Sequence, residues 1–220
     1  MAKRDNHYER AFEAYLRAYR VPYVAVDEQR RSLFGADSLK SLDFIVSPPG
    51  LSGPLLIDVK GRRFPSGGAA SAGGRGARQY WKNWTTRDDV RSLARWRRLF
   101  GESATSLLTF AYDVCGDLAP SDARDLFACQ GRIYGFVGIR LEQYVGAAKT
   151  LSPKWDTIAM PAAQFRRQAR PLAEFLGLVS CRAGSASICG SFSGCGRSRS
   201  AGPAGNADYS SSATPRRADA

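Results

Sequence analysis

Two short apolar runs, each interrupted by a carboxylate, constrain this chain more than anything else in it. They are Ser41-Leu42-Asp43-Phe44-Ile45-Val46 and Leu55-Leu56-Ile57-Asp58-Val59-Lys60. Both read as strands, and an acid inside a buried strand is costly unless something binds it. Side chains alternate faces along a strand. Leu56, Asp58 and Lys60 therefore share one face, and Leu55, Ile57 and Val59 the other; in the first run Asp43, Ile45 and Ser47 go together. The connector from Ser47 to Pro54 is rich in turn residues, and a hairpin across it brings Asp43 toward Asp58. Two readings follow. The acids form a structural ion-pair cluster with Lys60 or Lys40, or they form a metal site with a lysine beside it.

The surrounding chain supplies helices and further strands. Tyr8, Phe12, Tyr15, Leu16 and Tyr19 make one apolar stripe, predicting a helix over 7–20 with Asp5 or Asn6 as N-cap. Glu9 falls beside the edge of that stripe and Glu13 further toward solvent. Val21-Pro22 ends the helix, and a short strand follows at 23–26. Residues 33–40 are expected to be a loop, and 64–78, rich in Gly, Ala and Ser, a mobile one. Thr86 with Asp88 and Asp89 marks a helix start running to Gly101. Strands are expected at 105–114 and 133–140, with an edge strand near 155–160. A helix over 161–176 carries Pro171 as a kink. Beyond Leu178 large apolar residues almost vanish, so a disordered tail over 178–220 is expected.

The 220 residues carry a formal net charge of +12. The distribution matters more than the total. Residues 60–98 hold eleven basic residues against Asp88 and Asp89, a net of +9. The tail from 177 adds five arginines against two aspartates, so the rest of the body is balanced. The excess sits just downstream of the acidic strands, as an electrostatic footprint for a polyanion would. Arg62 and Arg63 leave the second strand at the mouth of the acidic pair. Arg78, Lys82, Arg87 and Arg91 are interleaved with Tyr80, Trp81, Trp84 and Trp96, a pattern suited to holding backbone and stacking bases. The alternative is that Trp84 and Trp96 are core and the arginines a solvated face. No apolar run reaches about 18 residues, so nothing reads as a membrane span. The five cysteines are odd in number with no CxxC, which fits a reducing, cytoplasmic setting.

The element order, with Glu9 on the first helix, Asp43 on one strand and Asp58-Val59-Lys60 on the next, resembles the PD-(D/E)XK phosphodiesterase superfamily over residues 5–115. The resemblance implies an α/β fold for residues 1–177, a restriction-endonuclease-like mixed β-sheet core flanked by helices. It implies a nuclease dependent on Mg²⁺, or Mn²⁺, that hydrolyses phosphodiester bonds in DNA ahead of RNA. Catalytic roles fall to Glu9, Asp43, Asp58 and Lys60. The ligands are Asp43, Asp58 and the Val59 carbonyl, with Glu9 completing the shell. Leu42 stands where a proline often precedes the first aspartate, and Gln79 is a weak match for a further helix position. Resolvase-like members act as dimers, which makes a homodimer an expectation. A catalytically silent nucleic-acid-binding module on the same fold is the alternative. The opening His7-Tyr8-Glu9-Arg10-Ala11-Phe12-Glu13 also resembles the signature of the HYExAFE proteins of planctomycete-type bacteria, and singles out His7, Tyr8, Glu9 and Glu13 as a set.

Overall fold

The structure is a computed structural model, and it describes residues 6–26, 32–34, 37–64, 81–115 and 126–178. Expectations for the 64–78 loop, and for the tail with Cys181, Cys189 and Cys195, lie outside these residues apart from their first positions. Helix α1 (His7–Ala18) is capped by the Asn6 side chain, which accepts from the Tyr8 N–H at 3.1 Å. Its stripe of Ala11, Phe12, Tyr15 and Leu16 is buried. The chain leaves it through Arg20 in a left-handed conformation (φ 54°).

Next come β1 (Tyr23–Ala25) and a small hairpin of β2 (Ser32–Phe34) and β3 (Asp37–Leu39). That hairpin corrects the loop expected at 33–40, since two three-residue strands pair there. Strand β4 (Phe44–Val46) is shorter than the run expected from Ser41, whereas β5 (Leu55–Phe64) runs on past Lys60. After β6 (Thr85–Thr86), helix α2 (Arg87–Phe100) starts at Thr86 in a full capping box with Asp89. Then follow β7 (Thr105–Val114), β8 (Leu126–Cys129), β9 (Arg132–Arg140) and α3 (Leu141–Ala147). The remaining elements are β10 (Lys149–Ser152), β11 (Thr157–Ala159), α4 (Ala162–Gln168), β12 (Arg170–Pro171) and α5 (Leu172–Phe175). The single kinked helix expected at 161–176 is thus two short helices. Arg170 and Pro171 are extended and pair with β9, since proline lacks the N–H and the space to continue a helix.

The main sheet has the order β1-β4-β5-β7-β9-β12, with β8 also on β9. The β5–β7 pair is parallel and the other pairs antiparallel. The result is a mixed sheet flanked by helices on both faces. Strands covered on both faces read as nearly continuous apolar runs, and β7 is buried from Ser106 to Val114. Alternation then sorts the side chains. Leu55, Ile57 and Val59 pack with Phe12, Tyr15 and Leu16 under α1. Leu56, Leu108, Phe110 and Tyr112 pack with Leu93 of α2, Tyr144 of α3 and Phe165 of α4. Asp58 and Lys60 belong by parity to the α2 face.

Gly61 fixes how closely α1 seats on β5. A Cβ there would lie 2.1–2.6 Å from ring atoms of Tyr8, whose ring rests 3.9 Å from that of His7. Gly61→Ala is therefore expected to lower stability by about 1–3 kcal/mol through overpacking. Gly146→Ala, in α3 with nothing within 4 Å of its added methyl, should instead gain roughly 0.5–1 kcal/mol. Urea unfolding of the two variants checks both signs.

Candidate active site

The centre of the site is a lysine held by two buried carboxylates. Lys60 Nζ lies 3.0 Å from Asp58 Oδ1 and 2.8 Å from Oδ2, and 3.0 Å from Asp89 Oδ2. Asp89 reaches this point because it is the third residue of α2, where the capping box turns its side chain back. Its Oδ2 accepts from the Thr85 hydroxyl at 3.0 Å and the Thr86 N–H at 3.1 Å, while its own N–H donates to Thr86 Oγ1. Lys40 Nζ donates to the other oxygen, Asp89 Oδ1. The Trp96 indole N–H bonds the Lys40 carbonyl at 2.9 Å, so α2 also steadies the backbone bearing that lysine. Ser41, Leu42, Ser92 and Leu93 complete the walls of a cleft around Asp58.

Burial and charge oppose one another across this cluster. Burial pushes the Asp58 carboxyl up, against the pull of Lys60. Burial also works against the charge of Asp89, but Lys60 and hydrogen bonds from Lys40 and Thr86 outweigh it and hold that carboxyl well below the usual range. For Lys60, burial is outweighed by Asp58 and Asp89, and the ammonium is held more firmly protonated than a free lysine. The hydrogen bond from Lys60 goes to Asp58 Oδ1. Oδ2 is buried and lies closer still to the same ammonium, at 2.8 Å.

Asp43 directly precedes β4 and lies beside β5. Its N–H bonds the Ile57 carbonyl at 3.0 Å, and its Oδ2 accepts the Val59 N–H. The side chain thereby continues the ladder where the strand stops, and both bonds bracket Asp58. Both acids are buried, at 2% exposure for Asp43 and 7% for Asp58. Glu9 is buried as well, in the α1 layer, and accepts from Asn6 Nδ2. Among the described residues, no three acidic, histidine or cysteine groups converge as a metal cage. Mg²⁺ nevertheless needs only one or two carboxylates, because it keeps several waters. Two buried carboxylates fit such an ion, Asp58 facing Lys60 and Asp43 bonded to the Val59 N–H next in the chain to Asp58.

The expected nucleic-acid contacts separate. Arg62 lies on the α2 face beyond Lys60, its guanidinium 3.9 Å over the Trp84 ring. Arg63 approaches Cys115 Sγ at 3.5 Å. Lys82 gives its carbonyl to the Tyr112 hydroxyl at 3.0 Å. Arg87 is engaged with Asp156 at 3.2 Å and the Thr150 hydroxyl at 2.6 Å, which ties α2 to the β10–β11 hairpin. Arg91 is exposed on α2, and Arg78 lies outside the described residues. Trp96 is half-buried, whereas Trp84 is 37% exposed and not core.

Asp89 is the residue the sequence reading undervalued. Its position three after Thr86 signals the capping box, but nothing local shows that the cap faces Lys60. A second polar group lies on the α1 face. His7 Nδ1 is 2.8 Å from the Tyr134 hydroxyl, and Arg132 pairs with buried Asp113 at 2.6 Å. Burial, and then Arg132, lowers the His7 pKa. Glu13, expected toward solvent, is paired with Arg17 and the Tyr23 hydroxyl at 2.8 Å each.

No protein-family model matches the chain, and no curated protein matches it. Among solved structures it is similar to a Holliday junction resolvase from the archaeal hyperthermophile Archaeoglobus fulgidus. That likeness has a TM-score of 0.45 at 15% identity and covers 78% of this chain and 98% of the other. The fold and the site therefore stand on the strands and side chains described above.

Proposed function

We propose that this domain is a divalent-metal-dependent nuclease acting on DNA, with its centre at Asp43, Asp58 and Lys60. The observation that supports the reading is a buried carboxylate, Asp58, on the strand face it shares with Lys60 and next to the Val59 N–H that Asp43 holds. Asp43, Asp58 and the Val59 carbonyl would hold Mg²⁺ or Mn²⁺, and Glu9, in the α1 layer and not converging with the two aspartates, stays outside this ligand set. Bound there, the ion would supply Lewis-acid activation of the phosphate and of an attacking water. Asp89 and its caps hold the Lys60 ammonium in place. Lys60 then offers a fixed positive charge to the oxygen on which charge develops at phosphorus. Arg62 and Arg91 would meet flanking phosphates.

One observation favours a second reading. Lys60 already bridges two carboxylates, as a metal-free ion-pair cluster on a DNA-binding module would. Incubation of supercoiled, linear and branched DNA with Mg²⁺ or Mn²⁺ separates the two. Cleavage by the native protein that Asp58→Asn and Lys60→Ala lower by about 100-fold or more supports the nuclease. Salt-dependent binding without cleavage on every substrate supports the module.

A further inference from the structure

We propose that Trp84, backed by Arg62, is a stacking subsite for an unpaired base of a DNA strand, placed beside the Asp58–Lys60 centre. This rests on the proposed function and narrows its substrate to DNA with single-stranded or unpaired nucleotides. Three observations converge. First, the described tryptophans of the basic segment differ in environment. Trp81 is packed against Phe64 and Tyr112, with ring centroids at 4.8 and 4.4 Å, and Trp96 is tied to Lys40. Trp84 alone of these is exposed.

Second, the charge behind Trp84 is not neutralised. Arg62 donates to the Gly61 carbonyl at 2.6 Å and to the Trp84 carbonyl, while its Nε is buried with no hydrogen-bond partner. It makes no salt bridge among the described residues, although Asp89, engaged with Lys60, lies near enough to act on its charge. Burial, the largest influence on it, lowers its pKa. A half-buried cation with no carboxylate of its own leaves positive charge behind the ring, which the backbone phosphate of a stacked nucleotide can answer.

Third, the platform is held rigidly. The neighbouring Asn83 side chain bonds both backbone groups of Met160, at 3.0 Å to the carbonyl and 2.9 Å from the N–H. The Asn83 carbonyl accepts from the Tyr144 hydroxyl at 2.6 Å. A stacking surface fixed before binding loses little entropy on binding. In an intact duplex each base is already stacked on its neighbours, so only an unpaired base has a face to offer.

The test is fluorescence anisotropy of a labelled oligothymidylate and of a blunt duplex of equal length, in EDTA to prevent cleavage. Trp84→Ala should weaken single-strand binding by roughly 5- to 150-fold and leave duplex affinity unchanged. Trp84→Phe should retain most of the binding, which separates stacking from a loss of folding. Arg62→Gln should reduce the single-strand salt slope by about 0.7. Equal weakening of both DNAs by Trp84→Ala, or of neither, overturns the stacking subsite alone. Absence of DNA affinity in the native protein overturns the proposed function with it.

Discussion

Lys60→Met is expected to destabilise the domain by about 3–5 kcal/mol, because it leaves a buried carboxylate without its cation. Asp89 keeps Lys40, Thr85 and Thr86, whereas Asp58 loses the ammonium that pulls its pKa down. The variant's pH dependence should show which acid suffers. A carboxyl raised above its unfolded value costs stability wherever it is ionised, and that cost disappears as the pH falls through its folded pKa. Lys60→Met should therefore become more stable on acidification from neutrality toward pH ~5, with Asp58 taking up the proton. The native protein should behave differently at both extremes. Asp89 is depressed, so its contribution is complete above about pH 4 and is lost as the pH falls toward its folded pKa. Lys60 is raised, so its contribution is complete below about pH 10 and is lost only in stronger alkali. Urea unfolding across pH reads all three, and adding Asp58→Asn to Lys60→Met should recover part of the loss.

Phe12→Ala is expected to cost about 3–5 kcal/mol by opening a cavity under α1. Phe12 is fully buried, with ring centroids 4.9 Å from Phe44 and 5.6 Å from Phe136. It joins the first helix to β4 and β9. Because Asp58, Lys60 and Asp89 occupy the opposite face, the ion-pair cluster should persist in the folded variant. Equilibrium unfolding measures the cost, and the pH profile of Asp89 should keep its sign.

The elements with strong periodicity were legible from residues alone. The α1 stripe, the alternation of Leu56, Asp58 and Lys60, and the Thr86 cap all depend on local spacing, and each is present. Elements that depend on partners were not legible. Strand β12 is two residues long and exists only because β9 accepts it, and the β2–β3 hairpin has strands too short for alternation to register. At the site, the approach of Asp58 to Lys60 followed from strand parity. The arrival of Asp89 did not, because it depends on how α2 crosses the sheet. Asp43 was read as a ligand, yet its Val59 bond also gives it a backbone-capping role that only the end of β4 reveals. Trp84 and Trp96 looked alike in sequence, and burial by separate elements divides them.

The central claim is that the Asp58 centre takes a divalent ion, and titration of Mn²⁺ into the native protein by calorimetry tests it most directly. Binding that is abolished in Asp58→Asn and weakened in Asp43→Asn, with both variants folded, is the predicted result. No Mn²⁺ binding by the native protein, or binding that Asp58→Asn leaves intact, would contradict it and leave Asp58, Lys60 and Asp89 as a structural ion-pair cluster.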